Sequence, residues 1–351
     1  MEEEDVLESC KSIIHYLAKE NDEGVRQLKY KDFLYKFNQI KTPPKFISKT
    51  KRKVDIIIFT VIPNEYKALK ELFPINKDTI IDNTKLNGIK AWEVDIDRLN
   101  NYNKLQALIV YIEEPGDLEC SIAAMRVFQE YDCDLAVLCG IAAGLHNEIK
   151  KYSVIISKGI VDYEPQRLES GGKIFKILCL KKLQKTKITY RAKTYSIIDK
   201  KLLRDILYIE TDPDEWRKYY HETVIKHGKI NNSKFDIQQV EKAELKIGII
   251  ASGRKLIAND EILKALRKSI PIEKGIVAVE MESAGFCIAC NEFSISWLVI
   301  RGISDYGGED KNELSNKEHQ HIAAFGAFTA LLHYLKNNYR RETEDGGKME
   351  F

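Results

Sequence analysis

The run Val279-Glu280-Met281-Glu282-Ser283-Ala284-Gly285-Phe286, followed by Val299-Ile300-Arg301-Gly302-Ile303-Ser304-Asp305, carries more information than any other part of this chain. In the first run an apolar stretch delivers two carboxylates and a methionine to a strand end, then opens into a helix pattern. In the second, another apolar stretch delivers an arginine and an aspartate to what reads as a neighbouring strand end. Open α/β sheets bind ligands beyond the carboxyl ends of their strands, so acids converging at two such ends indicate a small-molecule site.

On either side of these runs, strand-length apolar segments alternate with helical patterns. Strands are expected at Val54–Thr60, Ala107–Ile112, Leu135–Leu138, Ser153–Ile160, Lys246–Ala251, Gly275–Met281 and Ile295–Ile303. Helices are expected at Glu65–Leu72, Leu118–Gln129, Asp260–Lys268, Ser283–Glu292 and His319–Leu335. Near-continuous Val/Ile/Leu strands separated by helices predict a three-layer α/β/α sandwich around a mixed, largely parallel sheet. Residues 1–50 read as a short N-terminal helical extension containing the breaker Thr42-Pro43-Pro44, and residues 51–337 as the main domain. The stretch from about 165 to 245 breaks the rhythm and reads as an insertion, suited to covering the crevice or building an oligomer contact. The polar residues 338–351 are expected to form a flexible tail.

Composition removes several function classes. Among 351 residues, 55 basic and 53 acidic side chains leave a net charge of +2, which offers no electrostatic case for a nucleic-acid or membrane partner. No apolar run approaches the roughly 20 residues needed to span a bilayer. The start Met1-Glu2-Glu3-Glu4-Asp5 is acidic where a secretory signal is basic. The seven cysteines lack framework spacing and read as reduced thiols, so cytoplasm is the expected compartment.

Several positions have two readings. Glu65 is either a first-turn glutamate favoured by the helix dipole or a carboxylate aimed into the crevice. The loop Glu113-Glu114-Pro115-Gly116-Asp117 opens a helix after a strand, where backbone N–H groups can meet a ligand. In Gly140-Ile141-Ala142-Ala143-Gly144, small residues permit close approach of a ligand or tight packing. Gly116, Ala142 and Gly144 are accordingly candidate ligand-lining positions. Arg254 and Lys255, in Ser252-Gly253-Arg254-Lys255-Leu256-Ile257, suit an anionic group or simple solvation. Cys287 and Cys290 form a lone pair inside a helix pattern, which favours packing over zinc. In His319-Gln320-His321 the histidines face different ways, as structural or exposed residues would. Asp305, with Ser304 and Gly307-Gly308, fits a turn as well as an acid, and Glu280 and Glu282 fit pairing with Arg301 or Arg254.

Taken in order, Ile57–Glu65, Cys139–Leu145, Ile249–Ile257, Ala278–Ala284 and Arg301–Asp305 resemble the nucleoside phosphorylase superfamily, most closely its methylthioadenosine/S-adenosylhomocysteine nucleosidase branch. The resemblance covers residues 53–337 or thereabouts. It implies that Asp305 is the general acid on purine N7, kept protonated with help from Ser304, and that Glu65 activates water. It implies further that Glu282 and Met281, beside Glu280, hold the ribose, and that the Leu256–Ile257 backbone reads the base edge. Neither metal nor cofactor is required, and a homo-oligomer is expected.

Cleaving an N-glycosidic bond needs an acid on the leaving group and a nucleophile opposite, roles suited to two carboxyls in different environments. The loop Val61-Ile62-Pro63-Asn64 has no arginine and Glu113-Glu114 is acidic, which disfavours a phosphate site and favours hydrolysis. Three departures stand out: the acidic Glu113-Glu114, Arg254 where the branch has an acid or amide, and the added segments. Such additions resemble phosphorylase-like modules of bacterial defence proteins that destroy nucleotides. In that case Arg254, Lys255, Arg167 or Arg191 would meet a 5′-phosphate chain, and residues 1–50 would recruit a protein partner. A phosphorylase and a silent nucleotide sensor remain the alternatives.

Overall fold

Val54-Asp55-Ile56-Ile57-Ile58-Phe59-Thr60 is apolar on both faces, as a strand covered on both sides must be, and all its residues except Asp55 are buried. The computed structural model describes residues 51–75, 86, 88–98, 104–145, 148–164, 166–170, 186–190, 193–197, 199–211, 213–230, 237–254, 275–307, 316–337 and 339. All belong to the unit Lys51–Phe351, one of two into which the chain divides. The expected extension (1–50), the helix at Asp260–Lys268 and nearly all of the tail lie outside the described residues.

The elements run β1 (Arg52–Thr60), α1 (Pro63–Leu72), β2 (Lys90–Ile96), β3 (Leu105–Tyr111), α2 (Asp117–Glu130) and β4 (Tyr131–Gly144). Next come β5 (Val154–Asp162), β6 (Gln166–Ser170), β7 (Thr186–Tyr190), β8 (Lys193–Ser196), α3 (Lys200–Thr211), α4 (Pro213–Ile230) and α5 (Ile237–Glu241). The chain then forms β9 (Leu245–Ser252), β10 (Ile276–Glu280), α6 (Ser283–Glu292), β11 (Trp297–Asp305) and α7 (Asn316–Asn337). The sheet order is β10-β9-β5-β11-β4-β1-β3-β2, with β8 added on β5. Helix α7 packs on both α1 and α4, and α2 packs on α6, so the sheet is covered by helices as expected.

β4 organises the molecule. Its first part pairs in parallel with β1, from Arg52↔Tyr131 to Phe59↔Leu138. Its second part pairs in parallel with β11, with Arg301 opposite Gly140 and Asp305 opposite Ala143. Its last residues, Ala143 and Gly144, pair antiparallel with Val279 and Ala278 of β10. Because β10, β9, β5, β11 and β4 each pair with the next, that last contact closes five strands into a ring. Residues past Leu138 could not be recognised as strand, because Gly140, Ala142, Ala143 and Gly144 carry no β-forming side chains. β2 was likewise unexpected: Trp92, Val94 and Ile96 are buried on one face, while Glu93 and Asp95 leave most of the other open, which suits an edge strand.

The stretch that reads as an insertion contributes to the core. Leu202 and Ile206 of α3 and Trp216, Tyr220 and Val224 of α4 are buried in the main hydrophobic cluster. The Trp216 and Tyr220 rings stack at 4.9 Å. Among the described residues no helix is long and apolar enough to cross a membrane.

Candidate active site

Arg301 sits in the middle of β11 and is fully buried (0% exposed). A guanidinium cannot shed its charge, so burial demands anionic partners. Three surround it. Nη2 bonds Glu280 Oε2 and lies 3.3 Å from Glu282 Oε2, while Nη1 lies 3.8 Å from Glu65 Oε1. Three carboxylates exceed one guanidinium, and the mismatch is relieved by a proton. Burial, reinforced by Glu280 and opposed by Arg301, pushes the Glu282 carboxyl from its ordinary 4.5 up to about 8.

Glu65 is held by donors alone. Oε2 accepts from Thr60 Oγ1 at 3.2 Å and from the N–H groups of Val61 at 2.9 Å and Ile62 at 3.1 Å, and Oε1 accepts from Ile141 N–H at 2.8 Å. Pro63 in the first helical turn costs nothing there, and Glu65 satisfies the free N–H groups of the turn before it. Gly140 makes the close approach possible: a Cβ there would lie 2.1 Å from Glu65 Oε1 and 2.6 Å from Arg301 Nη1.

Glu280 is a brace for the helix start. It accepts from Glu282 N–H at 3.1 Å and Ser283 N–H at 3.0 Å, while Ser252 Oγ accepts from Ala284 N–H at 3.0 Å. Met281 is half-buried between the two glutamates. Asp305, half-buried, follows a register shift on β11. Its Oδ2 accepts from Ser304 Oγ at 2.7 Å and its Oδ1 from Gly307 N–H at 2.8 Å. Ser304 Oγ also has the Ala142 carbonyl within 3.4 Å. Gly144 lies against Ile303 and Tyr306, where a Cβ would come within 3.2 Å of both side chains.

The end of β4 therefore lies beside Glu65, Asp305 and the strand end that leads into Glu280. Ile141 bonds Glu65, Ala142 faces Ser304, and Ala143 is opposite both Asp305 and Val279, the residue before Glu280. Other predicted positions fall elsewhere. Gly116, at φ 133° where glycine is favoured, precedes α2, and a Cβ there would collide with the Glu119 carboxylate. Arg254 is exposed, and its Nε donates to Asp117 Oδ1 at 2.9 Å and Oδ2 at 3.1 Å. Asp117 thus occupies the Nε edge of Arg254. Lys255, Leu256, Ile257 and Arg191 lie outside the described residues. Cys287 and Cys290 are buried free thiols of α6.

The model of the phosphorylase superfamily matches residues 55–335. The chain belongs to the phosphorylase superfamily. Among sequence relatives within this superfamily fold, ATP nucleosidase Cap17 of Escherichia coli (strain KTE188) is 27% identical over 290 residues, 82% of this chain and 52% of that protein. A 5′-methylthioadenosine/S-adenosylhomocysteine nucleosidase of Marinomonas sp. (strain MWYL1) is 28% identical over 109 residues, 31% of this chain and 46% of that protein. The chain thus spans about half the length of these relatives. The fold matches the methylthioadenosine/S-adenosylhomocysteine nucleosidase of Neisseria meningitidis bound to methylthio-immucillin-A, with a TM-score of 0.53 and 17% identity. That alignment covers 80% of this chain and 98% of the other. Of this site, the acids were legible in the sequence. In the sequence Arg301 reads as an arginine at a strand end and a partner for Glu280 and Glu282, although an arginine inside an otherwise apolar strand also marks a buried charge. Gly140 reads in sequence simply as a small residue.

Proposed function

We propose that this chain hydrolyses the N-glycosidic bond of an adenine nucleoside or nucleotide. The observation that carries the reading is that Glu65 and Asp305 meet at the end of β4, with Glu65 fixed by four donors and Glu282 held 3.3 Å from Arg301, which lies opposite Gly140. Membership of the superfamily and likeness to nucleosidases support it. In this reading Asp305 delivers a proton to N7 of the base as the C1′–N9 bond breaks, and the bonding pair leaves with the base. Water adds to C1′ from the opposite face, and its proton passes to Glu65. Ser304 can turn its hydroxyl from Asp305 to the Ala142 carbonyl, freeing a carboxyl oxygen to carry the proton. Glu282, holding one proton, has a donor and an acceptor for the ribose diol, with Met281 against the sugar.

Water rather than phosphate is the nucleophile. Arg301 is the buried cation of the site and is committed to three carboxylates. The loop after β3 presents Glu113, paired with Lys90 at 2.6 Å, and Glu114. Free adenine is expected from adenosine derivatives in phosphate-free buffer, measured by chromatography, and Asp305→Asn is expected to stop it. Release that requires added phosphate would establish phosphorolysis instead. A panel of methylthioadenosine, S-adenosylhomocysteine, adenosine and ATP identifies the 5′ group.

A further inference from the structure

The triplet His319-Gln320-His321 near the start of α7 has no part in the chemistry above. Successive helical residues point about 100° apart, so three in a row cannot serve one partner. Here they reach towards both catalytic ends. Gln320 Oε1 accepts from Asn64 Nδ2 at 2.9 Å, and His321 Nδ1 lies 3.4 Å from the Asn64 carbonyl oxygen. His321 Nε2 lies 3.2 Å from Glu71 Oε2. Asn64 and Glu71 are on α1, and Asn64 directly precedes Glu65.

His319 grips the other end. Its Nδ1 is 2.5 Å from the hydroxyl of Tyr152. Tyr152 is fully buried at φ 66°, a strained value for a bulky residue that persists only where its surroundings impose it. Its carbonyl accepts from Tyr220 Oη at 3.2 Å. Its N–H donates to the Ile303 carbonyl at 2.8 Å, and Ile303 N–H returns a bond to the Ser153 carbonyl at 2.9 Å. Ile303 lies two residues before Asp305, at the register shift. One turn of α7 is thereby fastened both to the residue beside Glu65 and to the strand end that carries Asp305.

We propose that His319, Gln320 and His321 form a brace that sets Glu65 and Asp305 relative to each other. They are positioning residues, and the proposal rests on the reading of Glu65 as base and Asp305 as acid. The two carboxyls come from different strands and must lie on opposite faces of one sugar, where misplacement by about 1 Å costs about a hundredfold in rate. A rigid helix joining both supports holds that distance better than either loop alone.

The test uses the full chain and five variants, the fifth being the double leucine replacement of His319 and Gln320. His319→Leu removes the contact to Tyr152, and Gln320→Leu removes the shorter of the two contacts to Asn64, leaving that of His321. His319→Asn keeps a polar atom near the Nδ1 position, and Gln320→Glu keeps the acceptor. Each leucine variant is expected to lower kcat for adenine release by about tenfold or more with KM within about twofold, the signature of lost alignment. The polar variants restore kcat. Loosening either end frees the same distance, so the double leucine variant is expected to lose less kcat than the product of the two single losses. Losses in kcat that multiply, or that the polar variants fail to restore, overturn the brace.

Amide exchange gives a readout independent of turnover, taken at Ile62 N–H beside Glu65 and Gly307 N–H on Asp305. A brace predicts that each leucine variant speeds exchange severalfold at both amides. Faster exchange at the near end alone refutes it. Wild-type protein that releases no base refutes the proposed function, while the exchange result still decides the brace.

Discussion

Replacing Glu282 with glutamine should stabilise the protein and flatten the pH dependence of its stability. The Glu282 carboxyl is moved from 4.5 to about 8, first by burial and then by Glu280. In the unfolded chain the same group is ionised at neutral pH, so folding at pH 7 must take up a proton. At about 1.4 kcal/mol per pH unit, that uptake costs about 3 kcal/mol at pH 7. Glutamine has the same shape, stays neutral and needs no proton. Glu282→Gln is therefore expected to gain up to about 3 kcal/mol at pH 7, or roughly 5–9 °C in Tm for a domain of this size. A group with a raised pKa in the folded state gives stability that is whole below 4.5 and lost as pH climbs to about 8. The gap between variant and wild type should accordingly widen from pH 5 to pH 8 in urea or thermal unfolding. A gap of the same size at both ends of that range, or a less stable variant at pH 8, refutes the reasoning about the buried proton. Glutamine also keeps one donor and one acceptor for the ribose diol, so KM should rise less than in Glu282→Ala.

Gly140→Ala places a Cβ 2.1 Å from Glu65 Oε1, and Glu65 is bonded too firmly to move aside. Loss of adenine release and about 1–3 kcal/mol of stability are expected, checked by turnover and urea unfolding. Arg301→Met leaves Glu280 and Glu65 buried without their cation and should cost about 3–5 kcal/mol; adding Glu282→Gln should recover part of that loss in the same unfolding assay. Burial lowers the pKa of His321 below its ordinary 6.5, with Lys67 acting in the same direction, and burial lowers that of His221 too. Such imidazoles take up protons more readily unfolded, so their contribution is whole above about pH 6.5 and falls away below it. His321→Gln should make the decline in stability between pH 6.5 and pH 5 shallower.

Much of the site was legible because each catalytic candidate ends a local pattern. Glu65 follows an apolar strand and a proline turn, and Glu282 and Asp305 each end a buried run. The helix Ser283–Glu292 was read to its observed ends because its small apolar residues give way to Asn291 and Glu292 at one end and to Glu282 at the other. β2 escaped because an edge strand with one wet face has too short an alternation to stand out. The stretch after β8 reads as an insertion because its polar residues outnumber the few large ones, Trp216 and Tyr220 among them, that anchor it. Arg254 was ambiguous because its partner, Asp117, is distant in sequence.

The sequence by itself determined the alternation of strands and helices and the acids at three strand ends, since apolar period and chain order are local properties. Only the tertiary structure decided that Arg301 is shared by three carboxylates, that Gly140 makes room for two of those groups to meet, and that β4 joins β1, β11 and β10. Those facts depend on which distant strands pair and at what register. Pairing is selected by the packing of the whole sheet, and no short window of residues contains it.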